Sequence, residues 1–287
     1  MTLFPGAGSF GICCWNRAAA NKGVSTAQFG RGRRGIANRY DDYVPAFIRT
    51  ALINPRIDVD RTVFPFTLPV FKGFKSLEMH PQVTFLVGDN GSGKSTLLEA
   101  VAVAYGFPAE GGSKAHNFAT FDSHSELHDK LLLAKEDFPK DCLFLRAETY
   151  YNFTTYAFQA WKESGGGPPK FGLVHERSHG EGFLDTIAKL KPPGLYLMDE
   201  PESALSATGQ LTFLVHMKRL IDGGSQFIIA THSPILLGFG KSWIYEFTED
   251  GMERTTYHKT KPYILTLDFL KNRGRYVKEL GLDESLS

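Results

Sequence analysis

The chain has 287 residues, enough to bury a sizeable core as one large domain or one domain with short appendages. Its 42% hydrophobic and 22% charged residues are those of an ordinary globular protein, and a net charge of +1 makes no global case for a nucleic-acid or membrane-surface partner. Three cysteines, Cys13, Cys14 and Cys142, give neither a disulfide framework nor a metal-binding spacing, and no apolar run approaches the ~18 residues of a membrane span, so a reducing, cytoplasmic setting is expected.

Residues 1–39 differ from the rest. They are rich in Gly, Ala, Ser and Asn, carry Arg17, Lys22, Arg31, Arg33 and Arg34, and hold no acidic residue before Asp41. No amphipathic apolar stripe runs through them. They are therefore read as a disordered extension, with an organelle transit segment as the alternative. Order is expected from about Tyr40. TVFPFTL at 62–68 and FKGFKSLEM at 71–79 read as two strands around a Pro69 turn. VTFLVG at 83–88 is a short apolar run ending in glycine and suits a buried strand, and apolar residues at helical spacing over 95–105 predict a helix directly after it. Residues 106–123 read as a loop, 124–136 as an amphipathic helix and 142–148 as a strand. A GGGPP run at 165–169 marks a small variable insert over about 149–176. Beyond it the pattern predicts a helix from Glu181 to about Lys191, a strand over 194–200, a helix over 208–221 and a strand over 226–232. A hairpin over 242–258 turning near 249–251 and a final helix over about 266–280 complete the chain. Strand and helix alternate through the centre, which predicts an α/β fold with a mainly parallel sheet.

Gly88-Asp89-Asn90-Gly91-Ser92-Gly93-Lys94-Ser95 lies between the predicted buried strand and the helix. Glycines there let backbone N–H groups turn inward around phosphate oxygens, and the helix start adds its positive dipole end. Lys94 is placed to reach the outer phosphates, Ser95 to ligate Mg²⁺ and Thr96 to add a phosphate contact. A glycine-rich turn alone would not require Lys and Ser at those two positions. The strand at 194–200 ends in Asp199 and Glu200. Ligands sit at the carboxyl ends of parallel strands, so Asp199 is a candidate metal ligand. Glu200, on the other side of the strand by alternation, is a candidate general base.

GDNGSGKST at 88–96, RSHGEG at 177–182, LYLMDEPESALS at 195–206 and IIATHS at 228–233 occur in an order and spacing that resemble the ABC-type ATPase superfamily. The chain looks closest to small bacterial ATPases carrying the AAA family label whose heads are ABC-like rather than parts of hexameric rings. The resemblance covers about 60–287 and implies a P-loop NTPase with an ABC-type head over 40–287: a mainly parallel central sheet, an antiparallel β portion and a small helical subdomain. It implies ATP and Mg²⁺ as cofactors. Ser178, Gly180 and Gly182 then stand in the signature loop, with Ser178 lying 21 residues before Asp199, and would bind the γ-phosphate held by a second protomer. The same residues also read as a capping box, Ser178 with Glu181 three positions on. Residues 203–206 resemble the D-loop, and His232 resembles the switch histidine. The family's glutamine-loop position carries Glu148 instead of Gln, and Glu148 is a candidate metal ligand with Arg146 nearby. Phe64, Phe66, Phe71 and Phe74 are the candidates for stacking on the adenine.

Together these readings describe an ATP hydrolase with Lys94, Glu200 and His232 as catalytic residues. The expected device is an ATP-dependent head-to-tail homodimer that drives or gates an unidentified protein partner. Alternatives are the nucleotide-binding subunit of a membrane transporter and an ATP-gated regulatory module of a bacterial defence or DNA-associated system. Only about 30 residues separate Glu148 from Ser178, short for a transporter's helical subdomain. Membrane contact would run only through a partner, and nothing in the sequence supports DNA as one.

Overall fold

A computed structural model describes residues 44–109, 111–112, 125–147, 150 and 179–282. The expectations for residues 1–39, for most of the 149–176 insert with its helical subdomain, and for Glu148 and Ser178 lie outside these residues.

In chain order the strands are β1 (Thr50–Ile53), β2 (Ser76–Glu78), β3 (Val83–Gly88), β4 (Leu131–Ala134), β5 (Asp141–Arg146), β6 (Gly194–Asp199), β7 (Gln226–Ala230), β8 (Trp243–Thr248) and β9 (Gly251–Thr255). The α-helices are α1 (Pro69–Lys72), α2 (Lys94–Tyr105), α3 (Leu127–Lys130), α4 (His179–Lys189), α5 (Ala207–Asp222), α6 (Pro234–Leu237), α7 (Lys261–Lys271) and α8 (Arg273–Glu279). Six strands form one sheet in the order β5-β6-β7-β3-β8-β9, parallel throughout except for the β8–β9 hairpin. A second, antiparallel sheet has the order β2-β1-β4. This is a mixed α/β fold with a mainly parallel central sheet and an antiparallel β portion.

The unbroken apolar strands are explained by burial on both faces. Along β6, Leu195 and Leu197 join the core under α2 and the antiparallel sheet, whereas Tyr196 and Met198 join the core under α4 and α5. Parallel strands covered on both sides need apolar residues at every position, and all six residues of both β3 and β6 are buried. Gln226 is buried too, yet fully used: its side chain accepts from the Ile48 N–H and donates to the carbonyls of Ile48 and His80. That pins the segment before β1 to the central sheet.

Three sequence expectations are corrected. Residues 62–68 form turns rather than a strand, because Pro65 and Pro69 interrupt the run and Pro69 starts the short helix α1, where a missing N–H is harmless. The helix expected over 124–136 is a single turn, α3, followed by β4, whose LLLA residues pair with β1 about 80 positions earlier in the chain. The final helix is two, α7 and α8, parted at Asn272.

Candidate functional site

The carboxyl ends of β5, β6, β7 and β3 lie side by side along one edge of the sheet. They deliver, in that order, Arg146, Asp199 with Glu200, Thr231 with His232, and the loop that begins at Gly88. This is where ligands of parallel sheets bind.

The loop is built for a close approach of backbone to ligand. Gly88, Gly91 and Gly93 have φ of 155°, 77° and 98°, values that side-chain-bearing residues rarely adopt. A Cβ on Gly88 would fall 2.7 Å from Phe247 O, and one on Gly93 would fall 3.0 Å from the Phe71 ring. Asp89 and Asn90 are exposed, while Ser92 and Thr96 are half-buried. Ser92 Oγ is shielded from water and has no hydrogen-bond partner. Lys94 is 3% exposed, and its Nζ donates to Gly88 O and Asp89 O, each at 2.9 Å. Burial lowers its pKa from the usual lysine value, while the carboxylates of Glu200, Asp199, Asp89 and Glu202 pull the other way.

Ser95 Oγ donates to Asp199 Oδ1 at 2.9 Å, so the two predicted metal ligands meet directly. Asp199 is 7% exposed. A hydroxyl and a carboxylate side by side are the hard oxygen donors that suit Mg²⁺, an ion that keeps most of its waters. The orphaned Ser92 hydroxyl and the glycine cradle suit a phosphate group. The residues present fit a phosphate group and Mg²⁺.

Glu200 reaches its place through a backbone kink rather than by strand alternation alone. It has φ 48° and ψ 51°, the left-handed region, which costs a residue other than glycine about 1–2 kcal/mol. The kink is held by the Glu200 N–H on Ala230 O and by Glu200 O accepting from both the N–H and the Oγ of Ser203. Glu200 Oε1 then lies 3.5 Å from His232 Nε2, which is shielded from water and unpaired by hydrogen bond. Strain concentrated at such a residue fits a functional position.

Gly180 and Gly182 sit in the first turns of α4. A Cβ on Gly180 would meet Ala204 O at 3.0 Å, which puts the start of α4 against the 201–204 segment. Gly182 O accepts from Tyr150 Oη at 2.7 Å and from Thr186 Oγ1 at 3.1 Å. Neither glycine is hydrogen-bonded to the 88–96 loop among the described residues.

Three contributors escaped the sequence reading. Glu202 Oε1 accepts from the His232 N–H at 2.6 Å and so fixes the histidine's backbone. Lys261, the first residue of α7, donates to Asp89 Oδ2, and that bond holds the Asp89 carboxyl below its usual pKa. Glu99 pairs with Arg146. Of these, Glu202 carried a signal, an acid two residues beyond the Asp199–Glu200 pair. Lys261 and Glu99 carried none, since their partners are remote in sequence. Of the four phenylalanines, Phe66, Phe71 and Phe74 are at most 6% exposed and belong to the core, whereas Phe64 is 58% exposed.

Residues 68–155 match the family model described as an AAA domain. No curated protein matches the chain. Among solved structures, the SMC head domain from Thermotoga maritima is similar at 14% identity over 73% of this chain and 98% of that one, with a TM-score of 0.41. A metal-chelate type ABC transporter in an inward-facing conformation is similar at 15% identity over 68% of this chain and 80% of that one, with a TM-score of 0.38. A bacterial Atm1-family ABC exporter with ATP bound is similar at 16% identity over 84% of this chain and 44% of that one, with a TM-score of 0.39. The AAA domain match takes in the phosphate loop, and the acidic strand end and the histidine stand on neighbouring parallel strands beside that loop.

Proposed function

We propose that the protein binds ATP with Mg²⁺ on the Gly88–Thr96 loop and hydrolyses it to ADP and phosphate, working as an ATP-dependent head-to-tail homodimer that gates a protein partner. The observation that carries this reading is the convergence of Lys94, Ser95, Asp199, Glu200 and His232 at adjacent strand ends, with Ser95 on Asp199 and Glu200 beside His232.

In this reading Lys94 exchanges its bonds to Gly88 O and Asp89 O for phosphate oxygens, so a buried ammonium stays satisfied throughout. Ser95 and Asp199 hold the cation, which neutralises charge on the transferred phosphoryl group. Glu200 accepts a proton from the attacking water or orients it. His232, its backbone fixed by Glu202, contacts the outer phosphate and returns to Glu200 when that phosphate leaves. Head-to-tail pairing is supported by the position of Gly180. It lies in the first turn of a helix, a favourable anion site, yet it packs against the 201–204 segment, and neither it nor Gly182 is hydrogen-bonded to the phosphate loop among the described residues. A second copy would bring the missing contacts, including those from Ser178, and Glu148 remains a proposed additional cation ligand.

Glu200→Gln tests the reading. Phosphate release should fall by about 10²–10⁴-fold, while ATP binding persists and light scattering after size exclusion reports a dimer with ATP and a monomer without nucleotide. A normal hydrolysis rate removes Glu200 from its role, and an ATP-saturated monomer removes the dimer. Affinity purification of the same variant with ATP then captures the partner.

A further inference from the structure

Four side chains beside the phosphate loop close a ring. Ser95 Oγ donates to Asp199 Oδ1 at 2.9 Å. Arg146 Nε lies 3.6 Å from Asp199 Oδ2, and Arg146 Nη1 donates to Glu99 Oε2 at 2.7 Å. Glu99 stands one helical turn after Ser95 on α2, so the ring closes through the helix itself. Arg146 ends β5 and is the register partner of Asp199, which ends β6, so the parallel pairing fixes their proximity.

The ring is largely shielded: the side chains of Arg146, Glu99 and Asp199 are 22%, 16% and 9% exposed. Arg146 Nε is buried and lacks a hydrogen-bond acceptor in range. A modest approach of Asp199 Oδ2 would satisfy it at ordinary hydrogen-bond distance. Two carboxylates against one guanidinium leave the ring with a net negative charge, so Arg146 does not cancel the attraction of this corner for a cation.

We infer that Arg146 is a positioning residue for divalent-cation binding: by bridging Glu99 and Asp199 it keeps Asp199 Oδ2 turned away and fixes Asp199 Oδ1 beside Ser95 Oγ. This rests on the reading of the loop as a Mg²⁺-nucleotide site. Arginine suits the role because its planar fork presents Nε to one carboxylate and Nη1 to another, whereas a lysine ammonium is a single compact charge.

Positioning and simple charge compensation predict opposite results. If Arg146 only balanced charge, Arg146→Lys would be neutral, and Arg146→Gln would tighten cation binding by removing a nearby positive charge. If it positions Asp199, both variants weaken the cation. The test is a Mn²⁺ titration followed by electron paramagnetic resonance, with saturating ADP, on the full chain and on Arg146→Lys, Arg146→Gln and Glu99→Gln. Binding of a fluorescent ADP analogue in EDTA is measured alongside. The expected result is a loss of about tenfold or more in Mn²⁺ affinity for both Arg146 variants, the scale found for residues that orient metal ligands. Glu99→Gln should move in the same direction, and ADP binding in EDTA should stay near the wild-type value. Wild-type Mn²⁺ affinity in Arg146→Lys, or tighter binding in Arg146→Gln, overturns the inference. Should Arg146→Gln fail to fold by circular dichroism, Arg146→Lys and Glu99→Gln decide the matter. A wild-type protein that binds no ADP analogue overturns the nucleotide-site reading itself, whereas normal wild-type binding with unchanged variants overturns the role of Arg146 alone.

Discussion

Phe64 is the aromatic residue whose fate best separates packing from recognition. The sequence offered four phenylalanines for the adenine, and three are consumed by the core with Val70 and Leu97. Phe64 keeps 58% of its surface, and its segment continues into Leu68, Val70 and Phe71, which pack over Gly93 at the start of α2. Stacking of a base on an aromatic ring contributes about 1–3 kcal/mol. Phe64→Ala should therefore weaken ATP binding by roughly tenfold or more, with no loss of affinity for inorganic triphosphate, both read by calorimetry. An unchanged ATP affinity would mean that another group holds the base. Exposure was the deciding fact here, and no local pattern among these residues revealed it. By contrast the gathering of Lys94, Ser95, Asp199, Glu200 and His232 at neighbouring strand ends was legible, because each stands at a set distance from an apolar strand. Arg146 stood in view as the end of a strand, but its pairing with Asp199 depends on sheet order, which sequence spacing does not encode.

At the level of elements, the passage from β3 to α2 is governed by one glycine. Gly93 has φ 98° and serves as the N-cap of α2, and a Cβ there would meet the side chains of Phe71 and Val70. Any side chain there meets both backbone strain and a contact at 3.0 Å. Gly93→Ala should destabilise the fold by about 1–3 kcal/mol and, if the loop binds ATP as proposed, abolish the rise in melting temperature expected of the wild type on adding ATP, both read by thermal unfolding. A variant that melts normally and still responds to ATP would show the loop to be more compliant than its packing indicates. The elements that sequence periodicity located well, β3, α2, β6, α5 and β7, are those whose two faces are decided by the local apolar run. Those it misplaced depend on remote partners. LHDKLLLA carries an acceptable helical spacing, yet its second half is a strand because β1 offers an edge to pair with. The 62–68 run has strand-like residues but two nearby prolines that remove ladder donors.

Across the whole molecule, stability is unevenly distributed. Two apolar clusters fill the faces of the central sheet, whereas α7 and α8 contain no buried residue. Ile264, Leu265, Phe269 and Leu270 are all at least 42% exposed. A chain truncated after Thr260, itself buried, should thus unfold within a few degrees of the full-length protein, since surface changes usually shift stability by no more than about 0.5 kcal/mol each. A large drop in melting temperature would show that these helices support the core after all. No described helix is long and apolar enough to cross a membrane. The bond from Lys261 to Asp89 fastens this lightly held pair of helices to the phosphate loop. Amide hydrogens of α7 and α8 should exchange with solvent through an opening far cheaper than the one that exposes β6 or β7. An opening that broke the Lys261–Asp89 contact would free the Asp89 carboxylate at the mouth of the loop, so the field met by an incoming anion would change with the fraying of these helices while the sheet beneath stayed closed.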